Sequence, residues 1–109
     1  MHELGLTQEI LEIVTQRARE RKVKRVVLEI GKLSCVLPDA VRFCFDLCAA
    51  GTIAEGAELE IIQPAGRGRC RQCGTEFAMH EIIAHCICGG RDVEWLSGEE
   101  LRIKTMEIA

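Results

Sequence analysis

Aromatic side chains are scarce in this sequence: three phenylalanines, one tryptophan and no tyrosine among 109 residues. Proteins that hold single-stranded nucleic acid stack bases on aromatic rings along a basic groove. Here the formal net charge is -3, and the basic residues are dispersed apart from a cluster over residues 17–25. That cluster alternates with Glu20 and apolar positions, as the exposed end of a helix does, so nucleic acid is disfavoured as a partner. Long apolar runs are missing too. No stretch approaches the ~20 residues of a bilayer span, and the first residues lack the basic-then-apolar order of a signal peptide, so a soluble cytoplasmic protein with no membrane partner is expected. There is no phosphate-binding glycine loop and no Ser/His/Asp arrangement that can be placed, which leaves catalysis without support.

What is abundant is cysteine. Seven is a high but odd number for a chain of this length. Without a secretory signal the thiols are expected to stay reduced, so their spacing reads as metal chemistry or core packing rather than a disulfide framework. The length suits one ordinary domain, or a small domain carrying a smaller metal-stapled module.

From Leu4 to about Glu20, Leu6, Ile10, Val14 and Ala18 recur at four-residue intervals with Leu11 and Ile13 beside them, which predicts an amphipathic helix. Val26, Leu28 and Ile30 alternate in a β-branched stretch that Gly31 ends, a strand. Pro38 and Asp39 read as the first turn of a second helix, with Val41, Cys44, Phe45 and Cys48 as its apolar stripe and Gly51 as its stop. Residues 58–62 are strand-like, and residues 64–68 (Pro-Ala-Gly-Arg-Gly) are expected to break regular structure at a module boundary. Leu101 and Ile103 alternate with charged residues, and Met106 and Ile108 do so in the opposite phase, which predicts a third strand with a bulge or a two-sided edge. If that strand returns to the same sheet, the cysteine module is an insertion between adjacent strands.

The most specific constellation is Cys70-Arg-Gln-Cys73, twelve residues, then Cys86-Ile-Cys88 and Gly89-Gly90. Two cysteine pairs in tight turns can converge as four thiolates on a tetrahedral ion. Zn(II) is the default occupant, and such a closed site is structural rather than catalytic. A module of about 25 residues buries too little apolar surface to hold itself together, so the metal supplies most of its folding free energy. The second pair departs from two-residue spacing. Either Cys86 and Cys88 both ligate through a tighter loop, or His85 replaces Cys86 and restores the gap to Cys88. Cys44 and Cys48, one helical turn apart on the apolar stripe, read as small hydrophobes. Cys35 has no partner at informative spacing, and His80 either decorates the module or, as a neutral imidazole, binds metal transiently.

Met1-His2-Glu3 admits two readings, an ordinary chain end or a chelator. A bulky second residue is expected to keep Met1 in place. Its α-amine, the His2 amide nitrogen and the His2 imidazole then close fused small rings on one ion, with Glu3 adding an oxygen or its own amide. Tetragonal nitrogen and oxygen ligation of this kind suits Ni(II) or Cu(II).

With Met1-His2-Glu3, a helix, the strand leading to Gly31-Lys32-Leu33-Ser34, the cysteine module and the closing residues 97–104 (Ser-Gly-Glu-Glu-Leu-Arg-Ile-Lys), essentially the whole chain resembles the HypA/HybF family of hydrogenase nickel-maturation proteins. The resemblance implies a nickel metallochaperone, not an enzyme. It implies Ni(II) at Met1, His2 and Glu3, a structural zinc, and delivery with a HypB-type GTPase to the large subunit of [NiFe] hydrogenase, some relatives also serving urease maturation proteins. A carboxylate from the loop before the second helix joins the nickel site in part of the family, and Asp39 is the nearest candidate. Family members commonly carry two C-x2-C pairs, so the C-x-C here is a departure. The expected fold is α/β (α+β), two helices packed on a small three-stranded sheet with an inserted zinc-ribbon-like four-cysteine module. Residues 1–66 plus 98–109 form the nickel-binding domain and 67–97 the zinc-binding module, in a monomer or homodimer. The competing functions are a zinc-ribbon module for protein or RNA interaction, which scarce aromatics and negative charge disfavour, and a small zinc enzyme, which needs a coordination position that four protein ligands leave closed.

Overall fold

The computed structural model describes residues Glu3–Ala109. The elements, in chain order, are α1 (Glu3–Ala18), β1 (Val23–Ile30), α2 (Pro38–Ala49), β2 (Glu58–Ile62), β3 (Gly66–Cys70), β4 (Glu76–Met79), β5 (Val93–Ser97) and β6 (Leu101–Ile108). They make two three-stranded sheets, in the orders β2-β1-β6 and β4-β3-β5. The chain divides into two compact units. One takes the chain as far as Leu28, then Val36–Ile61 and Arg102–Ala109; the other takes Glu29–Cys35 and Ile62–Leu101.

In the first unit, α1 buries Leu6, Thr7, Ile10, Leu11, Val14 and Ala18. Ile13, grouped with that stripe from its sequence, is exposed. Thr7 takes a buried place instead, its polarity satisfied by donating its hydroxyl to the Glu3 carbonyl at 2.6 Å. The helix stops short of Glu20 because Arg19 and Glu20 adopt positive φ, 50° and 68°, which no helical residue does. In α2, Val41, Phe45 and Ala49 form the buried line, four residues apart, and Cys44 and Cys48 flank it half-buried. The helices pack against each other. Strand β1 is central because it is the strand with apolar residues to bury on both faces: Val26 and Leu28 on one, Val23 and Val27 on the other. The more polar β2 and β6 take its two edges. They are therefore separated by β1, and the expectation that the cysteine module joins adjacent strands is corrected.

The second unit holds a sheet where the sequence suggested irregular chain. β3 pairs antiparallel with β4, Arg69 opposite Glu76, and with β5, Cys70 opposite Val93, with an irregularity between Arg67 and Gly68. Arg69 bridges both neighbours, 3.2 Å from Glu76 and 3.6 Å from Glu94. The Gly66 and Gly68 positions, read as breakers, are instead close-packing positions within β3. A Cβ on Gly68 would stand 2.6 Å from both Met79 Sδ and Val93 Cγ1. The segment after β1 belongs here too, because the Gly31, Lys32 and Leu33 amides donate to the carbonyls of Glu100, Pro64 and Gly98 at 2.7, 3.0 and 2.8 Å. Buried apolar side chains are few in this unit, chiefly Ile30, Leu33, Met79 and the cysteines Cys70 and Cys86.

Candidate metal centre

Both cysteine pairs sit in turns closed by the same two backbone bonds. In the first, Cys70 N–H donates to Thr75 O at 2.9 Å and Gly74 N–H donates to Cys70 O at 2.8 Å. In the second, Cys86 N–H donates to Gly90 O at 3.0 Å and Gly89 N–H donates to Cys86 O at 2.9 Å. Each turn reverses at the glycine after its second cysteine, Gly74 with φ 79° and Gly89 with φ 89°, in the left-handed region that a side chain disfavours. The second turn is thus the first with one residue removed between the cysteines. That explains how a C-x-C pair presents both thiols on one side.

The four Sγ atoms of Cys70, Cys73, Cys86 and Cys88 all lie within 4.8 Å of one another. Across the two turns, Cys70 Sγ is 3.7 Å from Cys88 Sγ and Cys73 Sγ is 3.5 Å from Cys86 Sγ. A regular tetrahedron with sulfur about 2.3 Å from a central zinc has edges of about 3.8 Å. The spacing therefore fits one ion at the centre, and it is far beyond the ~2.05 Å of a disulfide. Cys70 and Cys86 are buried, Cys73 and Cys88 exposed. His85 is exposed and is not a member of the cluster.

The electrostatics of the four thiols also fit a cation. The Thr75 hydroxyl, 3.2 Å from Cys73 Sγ, and the Thr75 N–H hold Cys73 down at about 6, helped by the Cys86 and Cys88 thiols. Cys88 is pushed up to about 12: the Gly90 N–H acts to lower it, but Cys86, Cys70 and Cys73 together outweigh that bond. Cys73 thus gives up its proton readily while Cys88 resists losing its own, and a central dication would relieve that resistance. Gly90 completes the cage, since a Cβ there would stand 2.9 Å from Cys70 Sγ and 3.3 Å from Cys88 Sγ. Thr75 was not singled out in the sequence, and Gly90 was read as part of the constellation without a role of its own. The signal that could have found the turns was the Cys-Gly step that follows both pairs.

The candidate nickel residues lie elsewhere. Met1 and His2 are outside the described residues. Glu3 opens α1, and its Oε2 accepts the Leu37 N–H at 3.1 Å. Asp39 is exposed in the first turn of α2, two residues beyond that bond. The structure thus brings Glu3 to the start of the helix that carries Asp39. His80 is exposed.

A four-thiol cluster in one unit and a helix-and-sheet layer in the other define a small metal-binding α+β protein. No helix among the described residues is long and apolar enough to cross a membrane. The family model described as hydrogenase/urease nickel incorporation, metallochaperone, hypA matches residues 1–108, and the chain belongs to that HypA family. It is accordingly a metallochaperone of hydrogenase nickel incorporation rather than an enzyme, a role that implies partner maturation proteins. A hydrogenase maturation factor HypA of Nostoc punctiforme is 55% identical over 108 residues, covering 99% of this chain and 96% of the relative. Its counterpart in Trichormus variabilis is 52% identical over 108 residues with the same coverage. The solution structure of the Ni metallochaperone HypA from Helicobacter pylori superposes with a TM-score of 0.71 at 22% identity, over 99% of this chain and 97% of that one, which shows the shared fold.

Proposed function

We propose that the chain carries two metals in different roles. Zn(II) is held by Cys70, Cys73, Cys86 and Cys88 as a structural ion, with Cys86 rather than His85 completing the set. Ni(II) is the cargo, bound by the Met1 amine, the His2 amide and imidazole, and the Glu3 amide, with Asp39 as an added oxygen ligand. With a HypB-type GTPase the chain hands that cargo to the large subunit of [NiFe] hydrogenase, and urease maturation proteins are further recipients. The chemistry favours this division. A closed thiolate cage exchanges its ion slowly, whereas an amine, an imidazole and amide nitrogens at the first residues offer an accessible site of moderate affinity.

The observation that carries the zinc assignment is the convergence of four Sγ atoms within 4.8 Å. The nickel assignment is supported by family membership and by the Glu3–Leu37 hydrogen bond, which draws the Asp39 turn toward the start of α1. Metal analysis of tag-free protein tests the pair of assignments. About one zinc per chain is expected before nickel is added, because four closed ligands bind during folding. On titration with Ni(II), nickel is expected to add without displacing zinc. Nickel that enters only as zinc leaves would place the cargo in the thiolate cage and overturn the division of roles.

A further inference from the structure

Helix α2 begins in a way its own sequence does not support. Its N-cap is Leu37, which offers no side-chain acceptor, and the next residue is Pro38. In a capping box, an acidic or amide side chain at the third helical position reaches back to the N–H of the N-cap residue. Here that position is Ala40, which has no acceptor. The Leu37 N–H is nevertheless satisfied, by Glu3 Oε2 at 3.1 Å, from a residue 34 positions away in the sequence. The first turn of α2 is closed behind it by Val41 N–H donating to Leu37 O at 3.1 Å. One carboxylate therefore serves two helices: it lies in the first turn of α1 and caps α2 from outside.

We infer that Glu3 is a positioning residue, whose carboxylate supplies the missing half of the α2 capping box and so fixes Asp39 beside the start of α1. The inference rests on the proposed nickel site and assigns the Glu3 side chain a task distinct from ligation. The helix ends make the task necessary. The first turns of two helices carry partial positive charge, which opposes a cation placed between them. Carboxylates at both starts, Glu3 and Asp39, offset it. Held by a hydrogen bond at 3.1 Å, the Leu37-Pro38-Asp39 turn presents Asp39 at a fixed place, with Pro38 removing backbone freedom between the two. Without the bond, the Leu37 N–H loses its acceptor and the turn its anchor.

The test uses zinc-loaded protein with its native first residue, Ni(II) chloride as the probe, and calorimetry with the Ni(II) ligand-field spectrum as readouts. Glu3→Ala is expected to weaken nickel binding about tenfold, roughly the effect of removing a helix cap. Glu3→Gln keeps an oxygen acceptor and is expected to recover most of that loss, to within about threefold of the native chain. Because Glu3 acts through Asp39, the Glu3→Ala/Asp39→Ala double variant is expected to bind no more than about twofold worse than Asp39→Ala alone. In nickel-free spectra of the zinc-loaded protein, hydrogen exchange at the Leu37 amide is expected to quicken in Glu3→Ala and to stay slow in Glu3→Gln. Glu3→Gln losing nickel as severely as Glu3→Ala, with Leu37 still protected, would make the carboxylate a ligand and overturn the positioning role. His2→Ala binding nickel normally would instead overturn the N-terminal nickel site itself, and the Leu37 exchange series, which needs no nickel, tells the two failures apart.

Discussion

The shortened cysteine turn works because its closing bonds move with it: Gly89 and Gly90 take the places that Gly74 and Thr75 hold in the longer turn. Convergence of the thiols therefore follows the turn geometry rather than the count of intervening residues. Cys86→Ser is expected to release most of the zinc, and His85→Ala to leave zinc content near one per chain, both read by metal analysis after gel filtration. The opposite order of losses would make His85 the fourth ligand. Gly90→Ala puts a methyl group 2.9 Å from Cys70 Sγ, so it is expected to weaken zinc retention against a competing chelator while leaving the helices unchanged by circular dichroism. Unaltered retention would show that Gly90 is not part of the cage. At this scale the two pairs, Cys70 with Cys73 and Cys86 with Cys88, were legible from their spacing. The Glu3–Leu37 bond was not, since nothing local to either residue announces a cap that comes from 34 residues away.

Elements were legible where one face is buried against a single core. The α1 line Leu6, Ile10, Val14 and the β1 line Val26, Leu28, Ile30 follow the helical and strand periods closely, and each is an observed buried face. Ile13 broke the pattern because apolar character alone does not place a side chain; its angular position on the helix does. Strand β3 was invisible for a different reason. Its sequence is Gly-Arg-Gly-Arg-Cys, with glycines on the face that Leu33, Met79 and Val93 cover, so the alternation is between absent side chains and arginines. The two units hold different reserves. Phe45, 1% exposed, is fully buried in the first unit, as are Val14, Val26 and Val41, and Phe45→Ala is expected to cost about 3–5 kcal/mol in denaturant unfolding. The second unit counts two cysteines among its few buried residues. Removing zinc is therefore expected to abolish ordered amide signals across β3, β4 and β5 while helix content largely survives. Circular dichroism that reports loss of both helices on chelation would contradict separable cores.

At the scale of the whole molecule, the proposed roles of holding and handling metal fall on different units. The four-thiol cluster belongs to the unit with little core of its own, where a bound ion would contribute folding free energy. Cargo is proposed to bind at the other unit, through groups whose protonation competes with the metal. A protonated imidazole has no lone pair to offer nickel, so nickel affinity is expected to fall as the pH drops. Family membership points to nickel, and Met1, His2, Glu3 and Asp39 are the proposed place for it. The most direct measurement is calorimetric titration of Ni(II) into three zinc-loaded proteins: the native chain, His2→Ala, and a chain with one residue added before Met1. Both altered proteins are expected to lose nickel binding while keeping zinc and fold, because one lacks the imidazole and the other lacks the amine that closes the ring with it. Nickel binding as tight as native in the extended chain would contradict the account, and would place the ion on side chains such as His2, Glu3 and Asp39 without the chain terminus.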